Sequence, residues 1–107
     1  MKKLKQIYDK PLHKDIRELV RYSAEHYSLH NAFVIKHKIN KEISYEYINY
    51  TRFYKEINAL GTALLERGYS TDPISIIGSN SYKWILSYFA TVCGLGICVP
   101  LDKDLPI

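Results

Sequence analysis

Apolar and polar residues alternate between helical and strand-like spacings along the chain, and this pattern predicts a mixed α/β fold. Near the start, apolar residues recur at helical spacing from Ile16 onwards. Asp15 precedes them and Glu18 follows three residues later, which is the pattern of a capping box. The sequence therefore predicts an amphipathic first helix from Asp15 to about Tyr27.

A β-hairpin is predicted next. Two short runs rich in β-forming residues, 33–35 and 43–45, are separated by a polar turn that contains Asn40 and Lys41. We therefore expect a small antiparallel element at the front of the fold.

A long second helix is predicted to begin near Ser44 or Tyr45. Gly68 is placed to end it, since glycine readily adopts the left-handed conformation that follows a helix. Gly61 lies inside this helix, where glycine costs about 1 kcal/mol relative to alanine, and the close approach of another backbone would explain the choice. The predicted buried stripe consists of Ile48, Phe53, Ile57, Leu60, Leu64 and Leu65.

The last third of the chain has the pattern of a strand, a crossover helix and a second strand. The runs 74–77 and 97–99 are apolar without alternation, as expected of parallel strands covered on both faces, and Pro100 ends the second run. Parallel strands need a crossover, which we expect to be right-handed. A cap among residues 79–81 begins the crossover helix, whose predicted apolar face is Trp84, Ile85, Tyr88, Phe89 and Val92. The predicted fold class is α/β, with parallel strands, flanking helices and a small N-terminal β-hairpin.

Length and composition limit the chain to one ordinary globular domain. It has 107 residues, of which 47% are hydrophobic and 24% charged, and its formal net charge is +4. Residues 1–14 are predicted to be an irregular basic N-terminus, followed by the folded part, 15–107. We interpret this basic segment as a solvated, partly frayed terminus. The alternative is that its lysines attract phosphate groups or a membrane surface weakly. Its lysines are Lys2, Lys3, Lys5, Lys10 and Lys14.

The sequence predicts a cytoplasmic protein. No apolar run follows the N-terminal lysines, which argues against a secretory signal. The most apolar window, 88–101, is too short to span a bilayer. Cys93 and Cys98 lack CxxC spacing and further cysteines, so we interpret both as buried free thiols and not as a disulfide or a ligand pair.

Candidate binding residues lie where the predicted parallel strands end, at 78–81 and 100–105, because open α/β sheets bind ligands there. The first segment, Gly78-Ser79-Asn80-Ser81, has the composition of an anion-binding turn. It lacks the lysine of a phosphate loop, and helix capping explains the same residues. Asp102, Lys103 and Asp104 suit a solvated loop.

Other residues that could carry chemistry have structural explanations. Gly94 and Gly96 come after a helix and not before one, so they are interpreted as a helix end and a tight return into the next strand. His26 and His30 have a spacing that suits a metal site on a helix, yet His30 lies beyond the predicted helix end and no third ligand is evident. We predict no catalytic, cofactor-binding or metal-binding residue in this chain.

The chain is rich in tyrosine, with ten tyrosines beside its surplus of lysines. Aromatic rings among cations are a feature of single-stranded nucleic-acid binding. Half-buried packing is the favoured interpretation, and no nucleic-acid partner is predicted. The densest cluster is Tyr45, Tyr47, Tyr50 and Tyr54.

Four segments of the chain stand in a recognisable order. Residues 43–46 lead to Leu64-Leu65-Glu66-Arg67-Gly68, and 74–81 are followed by Trp84. Residues 90–96 come next, and Val99-Pro100-Leu101-Asp102-Lys103-Asp104-Leu105-Pro106 completes the series. Over residues 15–107 the chain resembles the N-terminal part of the AMP-binding, adenylate-forming acyl-CoA synthetases. The last segment is most similar to their long-chain fatty acid branch.

The resemblance implies an incomplete first subdomain of a larger enzyme. The whole enzyme would activate a fatty acid with ATP and Mg²⁺ as an acyl-adenylate and transfer it to coenzyme A. The family's phosphate loop, adenine and ribose sites and catalytic lysine have no counterpart here, so this chain alone is expected to be inactive. Its expected partner is the rest of the synthetase chain.

One loop departs from the family pattern. The family usually has Gly-Asp-Arg or Gly-Asp-Lys where this chain has Thr71-Asp72-Pro73. Proline presets φ and removes a backbone donor, so the loop is expected to differ in shape.

A second hypothesis belongs to a different class of function. An unfinished sheet has an open edge, to which a partner or a second copy can add a strand. The chain would then be a stand-alone interaction or dimerisation module, which either forms a homo-oligomer or regulates a full-length relative by occupying its subdomain interface.

Overall fold

The structure, a computed structural model, describes residues 10–106. In chain order the elements are α1 (Ile16–His26), β1 (Asn31–Ile39), β2 (Glu42–Asn49), α2 (Tyr50–Glu66), β3 (Pro73–Ile77), α3 (Tyr82–Ala90), a π-helical turn (Thr91–Leu95) and β4 (Ile97–Leu101). Strands β1 and β2 form an antiparallel hairpin, and β3 and β4 form a parallel pair. The predicted α/β fold is confirmed. Residues 10–14 form neither helix nor strand, whereas residues 1–9 of the predicted irregular N-terminus, and residue 107, lie outside the described residues.

Helix α1 begins where its capping residues predict. Asp15 is extended, and its Oδ1 accepts a hydrogen bond of 2.7 Å from the Glu18 backbone N–H. Glu18 Oε2 accepts in return from the N–H of Lys14 at 2.8 Å, one residue before the cap. Together these two bonds fix the entry of the chain into the helix.

The hairpin is longer than predicted, and this displaces the start of α2. Asn40 and Lys41 form its turn with φ angles of 50° and 69°, a left-handed pair that suits two-residue hairpins. Cross-strand pairing continues from there to Asn49. The prediction that a helix begins near residues 44–45 is wrong, because pairing with β1 provides hydrogen-bond partners for the backbone of 42–49.

This boundary moves Ile48 from the predicted helix to β2, where its side chain is 0% exposed. Ile48 forms one buried cluster with Val20 of α1 and with Phe53 and Ile57 of α2. The core of the fold therefore lies where the hairpin meets the first two helices.

Aromatic rings extend the core towards α3. Phe53 stands edge-on to Phe33 and to Phe89, with ring centroids 4.9 Å and 5.2 Å apart. Of the predicted apolar face of α3, Ile85 and Phe89 pack against the buried cluster. The other large members, Trp84 and Tyr88, stack on each other at 5.8 Å.

Asn49 and Gly68 determine where helix α2 begins and ends. Asn49 caps its start, since Asn49 Oδ1 accepts from the Arg52 N–H at 2.8 Å. At the other end Gly68 has a φ of 91° and donates its N–H to the Leu65 carbonyl at 3.0 Å, which confirms its role as helix terminator. Leu65 itself is half exposed and does not belong to the buried stripe, because the buried residues of α2 lie in its first half.

The parallel pair differs from its prediction in two respects. Pro100 does not end β4, since it pairs with Ile76 and the strand continues to Leu101. A residue without an N–H is tolerated here because β4 has one paired neighbour within residues 10–106. The pair is also covered on one face and not on both. Ile76 is buried, whereas Ile77 and Ile97 are 61% and 64% exposed.

Two glycines lie close to another backbone, and one of them has no room for a side chain. A Cβ on Gly61 would lie 4.0 Å from the carbonyl oxygen of Ala90, which is ordinary van der Waals contact. The predicted close approach is therefore present but leaves space for a methyl group. A Cβ on Gly96 would lie 2.5 Å from the carbonyl oxygen of Asp72, which no packed structure tolerates.

We predict opposite effects for the same substitution at these two positions. Gly61→Ala should raise the free energy of unfolding by about 1 kcal/mol, because alanine favours the helix and meets no clash. Gly96→Ala should lower it by about 1–3 kcal/mol, the usual cost of overpacking. Urea denaturation followed by circular dichroism measures both, and effects of the same sign would contradict the packing described.

Candidate functional site

The structure brings together the two loops at which the sequence places ligand binding. Because β3 and β4 are parallel, the turn at 78–81 and the segment after β4 lie at the same edge of their sheet. An open cavity of about 250 Å³ lies between them. The residues that line it are Gly78, Asn80, Trp84, Leu101, Asp102 and Lys103.

Ser81 and Asp102, two polar residues at this edge, are engaged in local structure. Ser81 Oγ accepts from the Trp84 N–H at 3.2 Å and caps α3, which confirms the capping interpretation. Asp102 Oδ1 accepts from the Asp104 N–H at 2.9 Å, and Lys103 Nζ lies 3.5 Å from the Asp104 carboxylate. All three residues of this loop are exposed, as predicted.

These residues do not fit ATP or Mg²⁺, the cofactors that the resemblance implies for the whole enzyme. A bound triphosphate needs several converging donors and cations. Of the six residues that line the cavity, Lys103 alone is cationic, and it lies beside a carboxylate. Asp102 is the one carboxylate among them, and its own turn uses an oxygen that a hard cation would need.

The glycines after α3 make the predicted return into β4. The Gly96 N–H donates to the Thr91 carbonyl at 3.1 Å and closes the π-helical turn. The Leu95 carbonyl accepts from the Thr71 N–H at 2.6 Å, which ties the return to the loop before β3. Thr71 has a φ of 59°, an unusual conformation for a β-branched residue.

Both cysteines are free thiols, as predicted. Cys93 and Cys98 are half-buried, where full burial was expected. Burial raises the pKa of each thiol above its ordinary value, which favours the protonated form.

The two spaced histidines do not converge on a metal site. The ring of His26 stacks on Tyr22 with centroids 3.8 Å apart, and its Nδ1 lies 3.0 Å from the Tyr22 carbonyl oxygen. His30 lies beyond the end of α1, as predicted. Within residues 10–106, His, Cys, Asp and Glu side chains form no group of three that could hold a metal ion.

The tyrosine cluster divides between the core and the surface. Tyr54 packs against the buried cluster and the ring of Tyr50 lies 6.4 Å from that of Tyr27, so the packing interpretation holds for these two. Tyr45 and Tyr47 are 55% and 58% exposed, which corrects that interpretation for them. The cause is the length of β2, because strand alternation turns both side chains away from the core.

A network of polar side chains, here called the polar network, joins the hairpin to α2 and α3. The sequence analysis missed it. Glu46 Oε1 lies 3.0 Å from His37 Nε2, and Glu46 Oε2 accepts from Arg52 Nη1 at 2.8 Å. Arg52 Nε donates to Glu56 at 3.3 Å, and Glu56 also accepts the hydroxyl of Tyr82. The helical spacing of Arg52 and Glu56 could have revealed one link. The other links depend on strand register and on packing.

This polar network shifts the pKa values of Glu46, Arg52 and Tyr82. The hydrogen bond from Arg52, followed by that from His37, lowers the pKa of Glu46. The bond to Glu46 in turn raises the pKa of Arg52. Burial, followed by the hydrogen bond to Glu56, raises the pKa of Tyr82. Exposed ion pairs add little stability individually. We therefore assign the polar network the role of orienting the hairpin relative to the helices.

No helix within residues 10–106 has the length and apolar content needed to cross a membrane.

No protein-family model matches this chain, and no curated protein sequence matches it. Solved structures share its fold. The N-terminal subdomain of Klebsiella oxytoca NpsA aligns with a TM-score of 0.68 at 15% identity, covering 88% of this chain and 23% of that chain. IdnL1 aligns with a TM-score of 0.68 at 19% identity, covering 92% and 20%. CmiS6 aligns with a TM-score of 0.69 at 14% identity, covering 92% and 24%.

These similarities establish the fold. The chain has the fold of the N-terminal subdomain of adenylate-forming enzymes, which confirms the resemblance at that level. It spans less than a quarter of the length of each of the three structures.

We predict that removing the Tyr82 hydroxyl alters the response of stability to alkaline pH. A phenol whose pKa is raised by folding adds stability that is fully present below the ordinary tyrosine value of about 10 and is lost as the pH rises above it. The stability advantage of the natural chain over Tyr82→Phe should therefore fall above about pH 10. Urea denaturation at a series of pH values measures this difference. A difference that stays constant across the series would contradict the assignment.

Proposed function

We propose that this chain is the N-terminal part of an ATP-dependent, AMP-forming acyl-CoA synthetase that activates fatty acids. The observation that carries the proposal is the alignment of nearly the whole chain with an N-terminal subdomain, at a TM-score of 0.68. The four sequence segments in family order support it independently. The choice of the long-chain fatty acid branch rests on the segment at 99–106 and not on the structural neighbours.

The role that we propose for this chain is structural. At the ends of β3 and β4, Ser81 and Asp102 are used for a helix cap and a turn, and we place the binding of ATP, Mg²⁺, coenzyme A and the fatty acid in the remainder of the synthetase. A cytoplasmic location stays a prediction, which the two free thiols support.

The parallel pair supports the view that more of the protein packs here. Ile77, Ile97 and Leu101 are exposed on the face opposite to the buried Ile76. Parallel sheets are covered on both faces in most α/β proteins. A further layer of the synthetase chain would cover these side chains.

We predict that the isolated chain does not catalyse ATP–pyrophosphate exchange with a fatty acid above background. The reason is that the described residues at the strand ends do not provide a nucleotide site. The exchange assay uses palmitate and acetate as alternative acids. Exchange above background with either acid would contradict the structural role.

The reading frame beyond codon 107 tests the family assignment separately. Continuation into a Ser/Thr/Gly-rich loop that ends in lysine supports the synthetase. In that case thioester formation by the whole protein with acids of increasing chain length tests the fatty acid assignment. A stop codon at this point would favour the second function below.

The second function that we propose is a stand-alone interaction or dimerisation module. It is favoured by the exposed apolar face of the parallel pair and by the unpaired edges of β3 and β4 within the described residues. We predict that such a module is a dimer in size-exclusion chromatography with light scattering. Ile77→Lys should then shift the chain to a monomer, with Ile39→Lys, at a similarly exposed isoleucine of the hairpin, as the matched control for the added charge. A monomer of the natural chain at high concentration would rule out dimerisation.

A further inference from the structure

The far half of the hairpin is exposed along its whole length. Residues 36–45, which include the turn at Asn40 and Lys41, are exposed at every position. The near half is different, because Phe33 and Ile48 pack into the core. The hairpin is therefore anchored at its base and presents its far half to solvent.

Cross-strand register places six side chains on one face of this hairpin. Directly paired residues share a face, and successive pairs point to opposite faces. The pair Phe33 and Ile48 points to the core, so the next pair and every second pair after it point away. These three pairs, here called the outer face, are Val34 with Tyr47, Lys36 with Tyr45, and Lys38 with Ile43.

The outer face combines apolar and cationic side chains and contains no carboxylate. Its four apolar side chains are between 51% and 58% exposed, and its other two members are lysines. The acidic residues of the strands, Glu42 and Glu46, lie on the opposite face. Lys41 in the turn adds a further positive charge. A complementary partner must therefore present negative charge beside an apolar layer.

We infer that the outer face binds the surface of an anionic lipid bilayer. Tyrosine suits the bilayer interface because its ring is apolar and its hydroxyl is polar. Valine and isoleucine side chains enter the boundary of the acyl layer, while the lysine ammonium groups meet the phosphates and carboxylates of the lipids. The outer face lies on a different sheet from the parallel pair, so this inference does not depend on the proposed function.

Single-stranded nucleic acid is the rival partner for a surface of tyrosines and lysines. Two of the four apolar positions, Val34 and Ile43, are aliphatic and offer no ring on which a base can stack. A bilayer accommodates all of these side chains, and a nucleic acid accommodates the tyrosines alone.

The test is co-sedimentation of the whole chain with sucrose-loaded vesicles of equal parts phosphatidylcholine and phosphatidylserine. The natural chain should bind them more strongly than pure phosphatidylcholine vesicles, and added salt should reduce the difference. The double variant Lys36→Glu/Lys38→Glu should bind at least about 25-fold more weakly, because each lysine near an anionic surface contributes roughly fivefold. Tyr45→Ser/Tyr47→Ser should also weaken binding, by removing both rings.

The matched control is Lys55→Glu/Lys83→Glu, which makes the same change in net charge at exposed positions of α2 and α3. The inference is supported if the control variant binds the vesicles as strongly as the natural chain while Lys36→Glu/Lys38→Glu binds them more weakly. Equal loss in both would show that binding follows net charge alone and would overturn it. Tighter binding to single-stranded polyuridine than to the vesicles would overturn it as well. Circular dichroism of each variant confirms that the fold is retained.

Discussion

The structure depends on the burial of one strand residue, Ile48. Its side chain lies where β2, α1 and α2 meet, and it is fully enclosed there. Because side chains alternate along a strand, a shift of register by one residue would expose Ile48 and turn Tyr47 towards the core. The two-residue turn at Asn40 and Lys41 sets the register that prevents this. Asn49 then ends the strand and caps α2, so the hairpin also fixes where the helix begins.

Tyr82 joins helix α3 to this centre by both apolar and polar contacts, in addition to the packing of Ile85 and Phe89. The ring of Tyr82 lies 5.3 Å from Phe33 between centroids, and its hydroxyl is bonded to Glu56. Glu56 leads through Arg52 to Glu46 on the hairpin. The parallel pair lies outside this network and depends on α3 and on the tight return at Gly96 for its position. Ile76 is its one buried residue.

The fold leaves two apolar surfaces exposed, and their charges distinguish what each can contact. The face of the parallel pair that carries Ile77, Ile97 and Leu101 has no charged side chain among its paired positions, which suits further protein packed against it. The outer face of the hairpin alternates apolar side chains with lysines, which suits a surface that is apolar and anionic at once. The proposed synthetase would cover the first surface, and the proposed contact with a bilayer would use the second.

The sequence by itself determined the features that depend on a few neighbouring residues. The caps at Asp15 and Ser81, the turn at Asn40 and Lys41 and the return at Gly96 are local backbone requirements, and each was predicted. The predictions for the strand ends, where capping and a solvated loop explain the polar residues, were also local. The four sequence segments that resemble the synthetase family could also be recognised from neighbouring residues, and their order along the chain indicated the fold.

Tertiary structure decided what depends on residues that are distant in sequence. Apolar spacing around Ile48 fits a helix as well as a strand, and only its pairing with Phe33 makes it a strand residue. The same pairing turns Tyr45 and Tyr47 outwards and brings Glu46 to Arg52. Pro100 stays in a strand because β4 is an edge within the described residues, and no local signal encodes that. Local hydrogen bonds can be inferred from adjacent residues, whereas register and burial are set by which distant segments meet.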